Sequence, residues 1–203
     1  MQASRYAAWL NSERMTSTAA HEVLDFWFGA PGSVHYGKPR AEWFRKSDDF
    51  DARIRSRFQR LHVQAAAHQL AHWRASPLTL LALILVLDQF PRNMFRESCR
   101  AFATDAMALD CARCMTAMRW DQRLNPIERS FVYLPFEHAE DIESQRTSLH
   151  LYGKLGRADL LQWAQKHYDI VKRFGRFPHR NGLMGRESTA DETEFLKQPG
   201  SRF

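Results

Sequence analysis

The longest apolar run in the chain is LLALILVL, at positions 80–87, and it constrains the fold more than any other feature. It is far shorter than the roughly 20 apolar residues that a membrane-spanning helix requires. Ser76 and Pro77 stand before it as a helix N-cap and a proline at the first helical position. Asp88 follows the run directly, and Pro91 comes soon after. We therefore predict a core helix that is buried on all sides and is stopped by Pro91.

Helix signals cover most of the rest of the chain, and no segment of convincing length alternates apolar with polar residues as a half-buried strand does. We expect an all-α fold of about eight helices in a single domain spanning 18–203, with 1–17 as an N-terminal extension. A helix that opens at Pro126 is expected to close at Pro135, and the next helix is expected to cover 136–155. Two further helices are predicted from apolar periodicity, at 21–28 and 159–174. Three more are predicted to begin at polar cap residues, at 47, 104–105 and 189.

Arginine dominates the basic residues: the chain has 23 arginines and 6 lysines, and its formal net charge is +6. A guanidinium presents a planar fork of donors that matches carboxylate and phosphate groups. The excess is typical of a protein that binds anions, although a GC-rich genome would produce the same bias. Three cysteines are an odd number for a disulfide framework, and the N-terminus lacks the apolar core of a secretory signal. We therefore expect a cytoplasmic protein.

The first of three polar clusters stands at the end of the apolar helix and consists of Asp88, Gln89, Arg92, Asn93 and Arg96. A carboxylate that follows so many apolar residues is expected to lie close to the core. It then needs a partner, because an unpaired buried charge is costly. Arg92 or Arg96 can supply that partner, or an arginine from elsewhere in the chain. The alternative is a purely structural ion pair that fixes the end of the helix.

The second cluster combines carboxylates, a histidine and an amide: Glu137, His138, Glu140, Asp141 and Gln145. Asp141 lies one helical turn from both His138 and Gln145, so we expect a shared polar pocket. Carboxylates beside a histidine can perform acid–base chemistry or bind a metal. The spacing does not form the H-E-x-x-H zinc motif, so we predict no metal site. Acidic residues in a first helical turn also complement the helix dipole, which is the structural alternative.

The third cluster follows an apolar helix, where RFGRFPHRN (173–181) partly repeats the earlier DQFPRN (88–93). Gly175 is a typical helix C-cap residue. Arginines at a helix C-terminus complement its dipole, but this glycine-punctuated loop holds more of them than that needs. They are expected to pair with the acidic cluster or to bind an anion. The polar members of the loop are Arg173, Arg176, His179, Arg180, Asn181, Arg186 and Glu187.

We expect the three clusters to meet at one groove, although the chain keeps them far apart. Such a groove predicts binding of an anionic small molecule or an acidic peptide. The alternative is an enzyme in which Glu137, His138 or Asp141 acts as acid or base and Arg92, Arg176 and Arg180 neutralise an anionic substrate. Nucleic-acid binding would need one continuous basic face, and the acidic residues beside the groove argue against it. No cofactor is predicted, and the sequence leaves the oligomeric state open.

Several motifs together resemble the widespread family known as domain of unknown function 924, over about residue 20 to residue 203. They are VLDFWFG (23–29), LDQFPRNMFR (87–96), AFATDAMAL (101–109), YLPFEHAED (133–141), RFGRFPHRNGLMGRES (173–188) and FLKQPGSRF (195–203). The resemblance implies a right-handed, tetratricopeptide-repeat-like stack of helices. No activity is established for the family, so the resemblance implies no catalytic residues.

Overall fold

The computed structural model describes residues 18–201, and within that range it is an all-α single domain with no strand. Its α-helices, in chain order, are α1 Thr18–Phe28, α2 Asp48–Ala66, α3 Pro77–Ile84, α4 Phe90–Met94, α5 Asp105–Ala117, α6 Pro126–Glu137, α7 Ile142–Leu155, α8 Ala158–Phe174 and α9 Ala190–Phe195. Single 3-10 turns lie at Ala41–Trp43, Ala71–Ala75, Cys99–Phe102, Trp120–Arg123 and Pro178–Arg180. A π-helical turn, Leu85–Gln89, joins α3 to α4. The predicted all-α fold of about eight helices is confirmed.

Most of the predicted helix ends carry the capping groups that the sequence indicated. The Ser47 and Ser76 hydroxyls accept hydrogen bonds from backbone N–H groups three residues later, at 3.3 and 3.4 Å. Asn125 and Thr189 each form a capping box with the glutamate three residues on. Gly175 ends α8 with a left-handed φ of 72°, which glycine adopts at no steric cost. These four caps and the glycine end are confirmed.

The predicted stop at Pro91 is wrong, because the central helix passes through the π turn and continues to Met94. The Phe90 N–H donates to the Leu85 carbonyl, five residues back. Pro91 therefore enters at a point where the regular ladder of hydrogen bonds has already been rearranged, so its missing N–H does not end the helix. Residues 77–94 form one continuous helix.

Side chains satisfy the carbonyl groups of the rearranged segment. Three consecutive carbonyls accept side-chain hydrogen bonds: Val86 O from His62 Nδ1 at 3.1 Å, Leu87 O from Thr104 Oγ1 at 2.6 Å, and Asp88 O from Arg92 Nη1 at 2.6 Å. Buried carbonyls without partners would cost stability, so these donors make the π turn tolerable. The π turn also sets the direction in which the Asp88 side chain leaves the helix.

The boundary between α6 and α7 also differs from the prediction. Pro135 lies inside α6, which ends at Glu137, and α7 begins at Ile142 rather than at residue 136. The start of α7 is set by its cap, since the Asp141 carboxylate accepts a hydrogen bond from the Ser144 N–H at 2.8 Å. Aspartate is among the preferred N-cap residues, whereas a proline near the last turn does not by itself fix where a helix ends.

The continuous helix lies at the centre of the domain. α1, α2, α5 and α6 pack around it, and 78–90 are buried throughout, as its mostly apolar sequence predicts. α7 and α8 pack against each other and against α6. The tetratricopeptide-repeat-like stack stays a prediction, and the predicted extension at 1–17 lies outside the described residues. No helix in the described part of the chain is long and apolar enough to cross a membrane.

Candidate functional site

Members of all three predicted clusters meet in one series of polar contacts. His138 Nδ1 lies 2.8 Å from Asp88 Oδ1, and Arg92 Nη1 lies 3.4 Å from the same oxygen. Arg92 also pairs with Asp105, whose Oδ2 lies 3.3 Å from Arg180 Nη1. We call these five residues the polar centre. It is assembled from the π turn, α4, α5, the end of α6 and the 3-10 turn after α8.

Asp88 is the innermost member of the polar centre, and its side chain is 0% exposed. Gln89 Nε2 donates to Asp88 Oδ2 at 2.6 Å, so both carboxylate oxygens have partners. Burial alone would raise the pKa of this carboxyl group. The charge of Arg92 and the interaction with His138 outweigh burial, and they hold the pKa of Asp88 well below its usual range. Asp88 is therefore an anion at neutral pH.

Asp105 holds two arginines together. Arg92 binds it in a bidentate manner, with N–O distances of 2.8 and 2.9 Å, and Arg180 approaches from another side. Sequence reasoning used Asp105 only as the first residue of a helix, where an acidic group has an ordinary explanation. No signal in the sequence pointed to a further role for Asp105, because the convergence of Arg92 and Arg180 on it depends on packing.

The guanidinium of Arg180 lies against two aromatic rings. Its Cζ is 4.5 Å from the Phe102 ring centre and 4.7 Å from the Phe177 ring centre, and the side chain is 7% exposed. Burial lowers the pKa of Arg180 to about 10, with a further contribution from the charge of Arg92, so Arg180 remains a cation. Among residues 18–201, no acceptor lies within hydrogen-bonding distance of its buried Nε–H.

His138 is partly exposed, with 14% of its side chain accessible to solvent. Its Nδ1 faces a carboxylate that can only accept, so Nδ1 carries the hydrogen and Nε2 carries the lone pair. Burial, followed by the charge of Arg92, lowers the pKa of His138. The imidazole is therefore neutral at neutral pH, and no described hydrogen bond involves its Nε2.

A second buried pair lies behind the polar centre. His167 Nδ1 lies 2.9 Å from the Trp163 carbonyl oxygen and 3.1 Å from Glu137 Oε1. Burial lowers the pKa of His167 to about 3. Burial, with repulsion from Asp88, raises the pKa of Glu137 to about 8. At neutral pH both groups are thus mainly uncharged. The His167 and His138 ring centres are 6.4 Å apart.

Two residues of the first predicted cluster face a different partner. Asn93 Nδ2 donates to Asp51 Oδ1 at 2.7 Å, and Arg96 Nη2 donates to the same oxygen at 3.0 Å. Arg96 Nε pairs with the other oxygen of Asp51. These contacts tie α4 and the turn after it to α2, and they belong to the structural alternative that the sequence left open for this cluster.

Two bidentate ion pairs fasten the segment that follows α8. Arg176 binds Glu192 with N–O distances of 2.7 and 2.8 Å. Arg186 binds Glu140 at 2.6 and 2.9 Å, and Glu140 Oε1 also accepts from the Phe177 N–H at 2.7 Å. Both predicted arginines therefore hold the loop in place beside the polar centre, and neither is a member of it.

Three more residues of the third cluster lie around the same loop. Asn181 Nδ2 donates to Glu192 Oε2 at 3.3 Å, which strengthens one of those ion pairs. The ring of His179 lies 5.8 Å from that of Phe177. Arg173 is exposed and stacks on the neighbouring phenylalanine ring at 4.6 Å. Of the predicted arginines in this cluster, only Arg180 belongs to the polar centre.

The remaining residues of the second cluster occupy helix ends. Asp141 is exposed and caps α7. Gln145 is buried, and its Nε2 donates to the carbonyls of Glu137 at 2.7 Å and Ala139 at 2.8 Å. Gln145 therefore satisfies orphan carbonyls at the C-terminus of α6 and fixes the backbone around His138.

No group of three or more histidine, cysteine, aspartate or glutamate side chains between residues 18 and 201 has an arrangement that could hold a metal ion. Two cavities in this part of the chain lie away from the polar centre. One runs along the exposed face of α2, and the other lies beside α1. The polar centre is thus a half-buried cluster of side chains that meets solvent through His138, Arg92 and Asp105.

Comparisons with known proteins extend over nearly the whole chain. The sequence profile described as bacterial protein of unknown function (DUF924) matches residues 23–200. A solved structure of ATU0120, a protein of unknown function from Agrobacterium tumefaciens, is 40% identical and superposes with a TM-score of 0.80. The match covers 88% of this chain and 96% of that one. No curated protein matches the sequence.

Proposed function

The chain belongs to the bacterial DUF924 family of proteins of unknown function, and we propose that its polar centre binds a small organic anion through the guanidinium of Arg180. One observation carries the proposal: the Arg180 Nε–H is buried without an acceptor among the described residues. A buried donor without a partner costs about 1–3 kcal/mol. A ligand carboxylate that reaches Nε would recover that cost.

The number of donors around Asp105 supports the same conclusion. A guanidinium carries five N–H donors. Asp105 is already bound in a bidentate manner by Arg92, and its contact with Arg180 is a single one at 3.3 Å. Asp88 and Asp105 balance the charges of Arg92 and Arg180, but the contact with Asp105 is the one hydrogen bond described for the Arg180 side chain. Its other N–H groups are donors that a ligand carboxylate can bind.

The surroundings of Arg180 favour a small and planar anionic group. The rings of Phe102 and Phe177 both lie close to the guanidinium, so we expect an anion to approach through its N–H groups. A carboxylate matches that planar fork. The ion pairs that fasten the loop hold Phe177 in place, which prepares the arrangement before the ligand arrives. These features favour an anionic small molecule over the acidic peptide that was also predicted.

Titration calorimetry with acetate, pyruvate, succinate and inorganic phosphate tests the proposal. Arg180→Lys keeps the positive charge but removes the fork, so we expect at least about a tenfold loss of affinity. Arg173→Lys is the matched control, because Arg173 is exposed on the same segment and lies outside the polar centre.

Three results would overturn the proposal: no anion of the panel binds, Arg180→Lys binds as tightly as the wild type, or only a glutamate-rich peptide binds. The last result would transfer the site to the peptide alternative. We also propose a cytoplasmic location, which the three free cysteines Cys99, Cys111 and Cys114 support.

A further inference from the structure

We propose that Nε2 of His138 acts as a general base toward the anion bound at Arg180, with Asp88 as its positioning residue. This inference rests on the proposed anion site and adds a chemical step to it. The substrate class is a small carboxylate with a weakly acidic C–H or O–H group close to the carboxylate. The bonding electron pair stays on the substrate, while the lone pair of Nε2 forms the new N–H bond. No oxidant, reductant or second substrate is needed.

The orientation of the imidazole carries the inference. Asp88 is fully buried and held by Gln89, so its Oδ1 fixes the position of His138 Nδ1 at 2.8 Å. Gln145 fixes the backbone on both sides of His138 through the carbonyls of Glu137 and Ala139. The lone pair therefore resides on Nε2. A buried carboxylate on one nitrogen is the arrangement that makes the other nitrogen an effective proton acceptor.

His138 is also held close to the proposed anion site. One series of contacts runs from His138 through Asp88, Arg92 and Asp105 to Arg180. A second series runs through ring contacts: His138 to His167 at 6.4 Å, His167 to Phe177 at 5.5 Å, and Phe177 to Arg180 at 4.7 Å. The two series connect the imidazole to the guanidinium through four polar contacts and through three ring contacts, respectively.

The charges around His138 suit a proton transfer in this direction. The imidazolium that forms is stabilised by the Asp88 carboxylate 2.8 Å away. Negative charge that develops on the substrate faces the guanidiniums of Arg92 and Arg180. The separated charges are each met by a fixed group of opposite sign, so little reorganisation is needed during the step.

Neither neighbour of His138 can take this role as readily. His167 Nδ1 faces the Trp163 carbonyl, and the residue is buried behind the polar centre. Glu137 is 5% exposed, and its pKa of about 8 keeps it protonated at neutral pH. His138 has the greater exposure, at 14%, and it is unprotonated at the same pH.

The base form of His138 depends on several neighbours. The titratable and charged groups around it are Asp88 from the π turn, Arg92 from α4, Asp105 from α5, Glu137 from α6, His167 from α8, and His179 and Arg180 from the loop after α8. Because burial lowers the pKa of His138, its neutral form persists to a lower pH than that of an ordinary histidine.

Acylation by diethyl pyrocarbonate, followed at each histidine by peptide mass spectrometry, tests the inference, because the reagent reacts with a histidine only at an accessible, unprotonated ring nitrogen. We expect His138 Nε2 to be modified at pH 7, and saturating pyruvate to protect it. His150 is exposed and serves as the internal control, whose modification rate pyruvate should leave unchanged. When the asparagine of Asp88→Asn presents its NH₂ to Nδ1, the tautomer reverses, and modification of His138 should then slow by about tenfold or more. The reversal is measured independently by the 15N chemical shifts of the two ring nitrogens.

The outcomes separate this inference from the proposed function. If calorimetry shows pyruvate binding but pyruvate does not protect His138, the anion site stands and the base is refuted. If Nε2 carries the hydrogen in the wild type at pH 7, the base is refuted whatever binds. If Asp88→Asn does not fold, His138→Gln replaces it. That variant keeps a donor for Asp88. In D2O the wild type should exchange the methyl hydrogens of pyruvate for deuterium, whereas His138→Gln should bind pyruvate without this exchange. Exchange at the wild-type rate in His138→Gln would overturn the inference.

Discussion

Replacing Glu137 by glutamine is predicted to stabilise the protein at neutral pH. Burial, together with repulsion from Asp88, raises the pKa of Glu137 from the ordinary 4.5 to about 8. The protonated form is therefore the one that the folded state favours. The stability that the protonated carboxyl group contributes is fully present below pH 4.5. It is lost as the pH rises from there through the folded-state pKa of about 8. Glutamine resembles the protonated form and does not titrate, so it escapes that loss.

The magnitude follows from the two pKa values. At pH 7 the unfolded chain ionises Glu137 almost completely, while the folded protein keeps most of it protonated. The difference corresponds to about 3 kcal/mol of lost stability relative to acidic conditions. The Glu137 side chain is almost fully buried, so little of this is screened by solvent. His167 Nδ1 donates its hydrogen to the Trp163 carbonyl, so the substitution leaves that bond in place.

Urea denaturation between pH 4.5 and 8 measures the effect. The free energy of unfolding of Glu137→Gln minus that of the wild type should rise with pH, to about 3 kcal/mol at pH 7. Glu143→Gln is the matched control, because Glu143 is exposed on α7 and its difference should stay below about 0.5 kcal/mol at every pH. A Glu137→Gln difference that does not change with pH would refute an elevated pKa. A variant that is less stable than the wild type at pH 7 would refute the neutral, protonated state.

Two further substitutions test the local structure around the site. Thr104→Val removes the donor to the Leu87 carbonyl in the π turn, and it should destabilise the protein by about 1–3 kcal/mol in thermal or urea unfolding. Asp141→Ala removes the N-cap of α7 and should cost about 1 kcal/mol, while calorimetry with anions should show no change in affinity.

The same two variants have clear contrary outcomes. If Thr104→Val leaves the free energy of unfolding unchanged, the Leu87 carbonyl has another donor or a water, and the Thr104 hydroxyl is not what stabilises the π turn. Loss of anion binding in a folded Asp141→Ala variant would show that Asp141 contributes to the binding site, as the sequence analysis predicted. Asp141→Asn, which keeps the cap, should behave as the wild type in both measurements.

The sequence was sufficient for the helices whose ends carry local signals. Ser47, Ser76 and Asn125 act within three residues of themselves, so their caps could be predicted from spacing alone. Pro91 and Pro135 misled, because whether a proline ends a helix depends on donors that come from other parts of the chain. The donor to the Leu87 carbonyl comes from Thr104, 17 residues away.

The candidate site was predictable in part for a similar reason. Asp88, Arg92, His138 and Arg180 stood out because their surroundings in the sequence were apolar or unusually rich in arginine. Asp105 sits in an ordinary first helical turn, and sequence spacing does not show that two arginines converge on it.

Histidine and carboxylate partners also could not be assigned from spacing. The sequence grouped His138 with Asp141, one turn away, whereas its carboxylate is Asp88, 50 residues earlier. A partner at that separation is determined by how α6 packs on the central helix. The sequence pattern identified which residues are unusual, but the packing decides which of them face each other.

The NMR signal of the Arg180 Nε–H reports whether this donor binds an acceptor from a ligand. In a titration with succinate, we predict a downfield shift of the Nε–H proton and slower exchange of that proton with solvent. The Nε–H signal of Arg173 should stay unchanged in the same spectra. An Arg180 signal that does not move at saturating succinate would contradict the account.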